Sequence, residues 1–187
     1  MEIQKTSPMP VIIKWGAIYV IASILVTYII QFLDIDPDSP IKWLSTLLFI
    51  AFMFLTQKEY RDLNGGYLTF GEGFKAGFLF AILSGIVLSV FTYLYFAVLS
   101  PGMLQKLTAS TEAKLAAKGM SQEQIDQAMS ITSKFLSPVG ITISALIGAA
   151  VMGAIIALIG AAIFKKDRPP VLIADADNYK DPAEPTV

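Results

Sequence analysis

Long apolar runs separated by clumped charge set the pattern of this chain. The first run extends from Trp15 to Leu33, 19 residues between Lys14 and Asp34. A helix rising about 1.5 Å per residue just crosses a hydrocarbon core of roughly 30 Å at that length. A cleaved signal peptide would carry a shorter apolar core, about 7–15 residues, before a small-residue cleavage site. Here the run ends in Gln31-Phe32-Leu33-Asp34, so a retained anchor is expected. After the turn Asp34 to Ser39, Ser39 and Pro40 have the form of an N-cap followed by proline at N1. They introduce a second, shorter span, Ile41 to Gln57, with Lys42 and Trp43 at its interface.

A polar link, Lys58 to Gly66, closes on the turn sequence Asn64-Gly65-Gly66. Thr69-Phe70-Gly71-Glu72 then spells a capping box, with Thr69 as N-cap and Glu72 at N3. The helix it starts spans residues 72–99, and Ala76 to Leu99 is free of charge over 24 residues. Ser100-Pro101-Gly102 breaks it. Residues 103–136 are too polar for lipid and predict an amphipathic helical hairpin. Gly119 stops its first helix in the C′ position, and Ser121 with Gln124 caps the second. The last span, Val139 to Phe164, has 26 uncharged residues and stops at Lys165, Lys166 and Arg168. The Asp- and Pro-rich segment 169–187 is predicted to be a disordered cytoplasmic tail. The fold expected is all-α: residues 1–168 form a polytopic membrane domain of four transmembrane helices, with the hairpin between the third and fourth.

Composition sharpens this picture. Charged residues are 16% of the 187, against about 25% in soluble domains. A net charge of −1 gives no reason to expect a nucleic-acid partner. There is no cysteine and no histidine. Thiolate chemistry, disulfides and the commonest general base and transition-metal ligand are therefore excluded. With the N-terminus inside, nine Lys and Arg fall on the cytoplasmic side and five outside, so both termini are predicted inside.

Small residues recur every fourth position on two helices. Gly73, Gly77, Ala81, Gly85 and Ser89 mark the third, and Ala145, Ala149, Gly153, Ala157 and Ala161 the fourth. In lipid, helices associate through close packing, which such stripes permit. These ten residues are the expected helix-packing sites, joining the two helices to each other or each to a symmetry mate.

Motifs that would carry chemistry fail on inspection. Asp34-Ile35-Asp36-Pro37-Asp38 opens like a calcium loop, but its sixth position is Ser39 and its twelfth is Ser45, where Gly and Glu are needed. Gly71-Glu72-Gly73 with Ala76 matches a dinucleotide fingerprint only nominally, because no strand precedes it. Glu59, Asp62 and Glu72 lie at the membrane edge without the spacing of a paired acid and base. No span holds an ionisable residue at depth, the usual mark of a proton or ion pathway. Only hydroxyls such as Ser23, Thr27, Ser84, Ser89, Thr92 and Ser144 lie there, with Gln31 near an end.

The stretch from Glu59-Tyr60-Arg61-Asp62 through Gly65-Gly66-Tyr67-Leu68-Thr69-Phe70-Gly71-Glu72-Gly73-Phe74-Lys75-Ala76-Gly77 resembles a family signature. So does Gly119-Met120-Ser121-Gln122-Glu123-Gln124-Ile125, ahead of Phe135, Pro138 and a glycine-rich last helix. The chain resembles the bacterial membrane family catalogued as domain of unknown function 4199, found mostly in Bacteroidota, over about Pro10 to Lys166. That resemblance implies an inner-membrane location and assigns no catalytic or binding residue.

The expectation is a non-enzymatic integral membrane protein of structural or accessory kind, with no cofactor and no metal. Its partners would be the lipid bilayer and either a second copy or another membrane protein. The alternative is a transporter or binding protein for a small apolar solute or lipid, which a hydroxyl-lined cavity between the helices would favour.

Overall fold

The computed structural model describes residues 7–33 and 40–167. The acidic turn, the Ser39 cap and the tail lie outside them. Six α-helices follow in order: α1 Met9–Phe32, α2 Lys42–Leu63, α3 Phe70–Leu94, α4 Pro101–Ala117, α5 Gln122–Phe135 and α6 Pro138–Phe164. A π-helical turn, Tyr95–Leu99, continues α3. The four long helices pack together, with α3 against α6 as the most extensive pairing.

Among the described residues three helices are long and apolar enough to cross a membrane: α1, α3 with its π-helical end, and α6. The fourth span expected at Ile41 to Gln57 is not among them. Its helix runs on through Lys58, Glu59, Arg61 and Asp62 to Leu63, and those charges dilute its apolar character. Charge marks where lipid ends, whereas the backbone ladder continues as long as the side chains reach water. For the same reason α1 starts at Met9, ahead of Lys14 and of the Trp15 boundary expected for the span.

Local signals explain the ends. Thr69 Oγ1 accepts the Glu72 amide while the Glu72 carboxylate accepts the Thr69 amide at 3.1 Å. Ser121 and Gln124 exchange the same pair of bonds. Gly119, at φ 79°, ends α4, its amide bonding Ala116 O at 2.9 Å and that of Met120 bonding Leu115 O at 3.4 Å. Those two bonds are the Schellman arrangement that satisfies the last carbonyls. α4 and α5, one on each side of this turn, correspond to the segment read as the hairpin, with bounds of 101–117 and 122–135. No α4 residue is buried, and Ile125 is the buried residue of α5.

The core joins all four long helices through Ile12, Tyr19, Met53, Phe80, Ala81 and Ala157. Where the α2–α3 link meets the end of α6, Leu68 and Lys166 exchange backbone bonds of 2.9 and 2.8 Å. Leu68 is fully buried beneath that clasp.

Candidate functional site

The ten small residues lie as follows. Gly73, Gly77, Ala81, Gly85 and Ser89 are all buried on one side of α3. A methyl added to Gly73 would meet Ala161 at 3.2 Å, and one on Gly77 would meet the Ala157 methyl at 2.9 Å. One on Gly153 would overlap the Ala81 methyl, and one on Gly85 would lie 3.3 Å from that of Ala149. The helices run antiparallel, and each four-residue step on α3 is answered by a four-residue step back along α6. Ser89 and Ala145 stand at the far end of this series, where both border a cavity. Ala145 is exposed there, whereas Ala157 and Ala161 are fully buried.

At the end of the bundle where α1 begins and α6 ends the interface is locked by a residue that sequence reasoning treated only as a span boundary. Gln57 of α2 is fully buried. Its amide nitrogen donates to Gly73 O at 3.0 Å and to Ala157 O at 2.9 Å, tying α2 to both α3 and α6. Gly77 and Gly160 leave the space it fills: a methyl on Gly77 would come within 2.6 Å of the amide nitrogen, and one on Gly160 would overlap the carbonyl oxygen. A glutamine near the end of an apolar run gave no signal of this role. Gly77, itself a stripe residue, and Gly160, three positions after Ala157, were the only trace of it.

Toward the other end the four helices separate around a cavity of about 400 Å³. That falls within the usual range for small-molecule sites, about 300–1,000 Å³. Tyr19 and Phe49 line it and pack, with rings tilted, against buried Phe80 at centroid distances of 5.6 and 5.9 Å. Phe91, Tyr95 and Phe96 border the opposite part, with Tyr28 edge-on to Phe91 and Tyr95. Between the two aromatic groups lie hydroxyls from three helices, Ser23 and Thr27 of α1, Ser45 of α2, and Ser89 and Thr92 of α3. No charged side chain lines the cavity among the described residues.

These hydroxyls are not equivalent. A helical threonine usually returns its proton to the carbonyl four residues back. Thr27, Thr56, Thr108, Thr111 and Thr142 all do so here, at 2.7 to 2.9 Å. Ser23, Ser89 and Thr92 make no such bond, and Ser23 Oγ, beside the Tyr19 phenol, is buried without a partner of good hydrogen-bond geometry. Of the other hydroxyls singled out in the sequence, Ser84 lines a separate apolar groove between α1 and α3 close to Gly16. Ser144 is exposed.

The cavity's outer edge carries an unusual backbone. The Ser100 amide bonds Tyr95 O at 2.7 Å, closing the π-turn. The Tyr95 hydroxyl donates to Gln31 Oε1 at 2.8 Å, and the Gln31 amide reaches Ser100 Oγ at 3.3 Å. α1 is thereby linked across the bundle to the end of α3. π-turns recur at functional sites because they re-aim side chains within an otherwise regular helix.

The three edge carboxylates do not form a site. Glu59 pairs with Lys14 and accepts the Trp15 indole N–H at 2.8 Å, which pins α2 to α1. The Lys14 hydrogen bond holds its carboxyl below the ordinary value of 4.5. Asp62 pairs with Arg61 at 3.2 Å, and Glu72 belongs to the Thr69 capping box. Among the described residues no group of three acidic side chains is placed to hold a metal ion.

Comparison with curated proteins and with solved structures gave no match. The match that carries information is to a family model described as a protein of unknown function, DUF4199, and it covers residues 14–166. Most of the chain lies within that match, and the protein belongs to this family.

Proposed function

We propose that this protein is a non-enzymatic, four-span membrane protein that holds a small uncharged solute in the cavity between α1, α2, α3 and α6. The carrying observation is the cavity of about 400 Å³ bordered by Gly85, Ser89, Ala145 and Ala149, next to the close packing of Gly73, Gly77 and Gly153 against the facing helix. A bundle selected only for association would gain contact by staying closed. The small-residue stripes, the main reason to expect a structural or accessory role, pack against each other within the chain from Gly73 and Ala161 to Gly85 and Ala149. A site without charge suits a solute that is itself neutral.

The fourth crossing is α2. It faces outward with Trp43, Leu44, Leu47 and Leu55, an apolar face in keeping with lipid, and residues 42–57, ahead of its charged end, reach about 24 Å. In this arrangement α4 and α5 fold as a hairpin on the side opposite the start of α1 and the end of α6. The excess of Lys and Arg, nine to five, supports placing both termini in the cytoplasm, and the family resemblance supports a bacterial inner membrane.

Native mass spectrometry of the full-length protein, extracted gently from its own membranes, tests the reading. Wild type should carry a small molecule of defined mass, and Ala145→Phe, which fills the cavity, should lose it without a drop in melting temperature. Bare protein in both, or the same adduct in both, would remove the proposal.

A further inference from the structure

The cavity's chemistry narrows what it holds. Two aromatic groups bound it, Tyr19 and Phe49 at one end and Phe91, Tyr95 and Phe96 at the other. Aromatic faces and edges favour rings placed edge-on or offset against them. Between them Ser89 and Thr92 make no hydrogen bond to their own backbone, unlike Thr27, Thr56, Thr108, Thr111 and Thr142. A hydroxyl facing an apolar cavity with no partner is costly, and a ligand group that pairs with it removes the cost. A plain alkyl chain would leave both hydroxyls unmatched, and an ionised ligand would find no counter-charge among the described residues.

We infer that the solute is a neutral, ring-bearing molecule with a hydroxyl or carbonyl group, and that Ser89 and Thr92 are the specificity-determining residues that bind that group. This rests on the cavity being a binding site. Ser89 and Thr92 lie three residues apart on α3 and so share one face, which lets one polar group meet both. Ser23 on α1 supplies a third hydroxyl across the cavity. The ring would lie between the two aromatic groups.

The test uses the full-length protein in detergent and three probes: 2-naphthol, 2-methylnaphthalene, in which a methyl replaces the hydroxyl, and decan-1-ol. Thermal stabilisation is titrated for wild type and for the Ser89→Ala/Thr92→Val variant, which keeps side-chain volume nearly constant. The expected result is that 2-naphthol binds wild type about five- to tenfold more tightly than 2-methylnaphthalene, the worth of roughly one hydrogen bond. That preference should vanish in the variant, while 2-methylnaphthalene binds both equally. Equal binding of the two ring probes to wild type overturns the role of Ser89 and Thr92. Tighter binding of decan-1-ol than of 2-naphthol overturns the ring and makes the occupant a chain. No stabilisation by any probe also overturns the inference. If native material still carries a molecule that Ala145→Phe removes, the cavity reading survives that failure.

Discussion

Moving a single methyl group across the α3–α6 interface tests its geometry. A methyl on Gly153 overlaps that of Ala81, far inside the 3.5–4.0 Å or so at which carbon atoms pack best. Overpacking costs about 1–3 kcal/mol, offset by roughly 1 kcal/mol of helix propensity when Ala replaces Gly. Gly153→Ala should therefore lose up to about 2 kcal/mol. Ala81→Gly loses a fully buried methyl and the same propensity, again about 1–2 kcal/mol. In the double variant the propensity terms cancel. The transferred methyl would lie 3.6 Å from Phe49 Cζ and 3.8 Å from the Ala81 Cα, ordinary contact distances. The double variant should then fall within about 0.5 kcal/mol of wild type, whereas independent losses would sum to about 1–4 kcal/mol. Reversible unfolding in mixed micelles, followed by Trp15 and Trp43 fluorescence, measures this. Additive losses would refute the face-to-face placement of these two residues.

Three further outcomes follow from the packing. Gly160→Ala should displace the Gln57 amide and break its two bonds, losing about 1–2 kcal/mol; in a Gln57→Ala background the same change should cost almost nothing. Glu59 has a folded pKa below its unfolded value, so its pairing with Lys14 adds stability above pH 4.5. That contribution disappears as pH falls through the lower folded value. Melting temperature should therefore decline below pH 4.5 in wild type and decline less in Glu59→Gln; identical acid limbs would remove the pair from the account. The chain has no cysteine, so Trp43→Cys and Asn64→Cys can each be labelled alone. Trp43→Cys should react from outside intact cells and Asn64→Cys only after permeabilisation, whereas reaction from the same side would show that α2 does not cross.

What the sequence could express was periodicity and punctuation. The capping residues Thr69, Glu72, Ser121 and Gln124 act through bonds to neighbours three residues away, so their pattern is visible in a short window. The step-of-four stripes were equally visible, although whether α3 faced α6 or a symmetry mate was not. Gln57 was missed because its partners, Gly73 and Ala157, are 16 and 100 residues distant, and nothing local separates a buried amide from one at an interface. The helices α1 and α2 extend past the apolar runs, to Met9 and Leu63, because charge marks the edge of an apolar run and not the end of a helix. The cavity was foreseen only as a condition favouring the alternative reading. Its hydroxyls could be named from the sequence, but that Ser23, Ser89 and Thr92 converge while Ser84 and Ser144 do not depends on how far four helices separate.

The most direct test is an experimental structure of the full-length protein in nanodiscs formed from its native membranes. The account predicts close α3–α6 contact from Gly73 and Ala161 to Gly85 and Ala149. It then predicts separation at Ser89 and Ala145, with density for a bound molecule between Tyr19, Ser89, Thr92 and Tyr95. Contact continuing through Ser89 and Ala145, with side chains closed over the space, would contradict it.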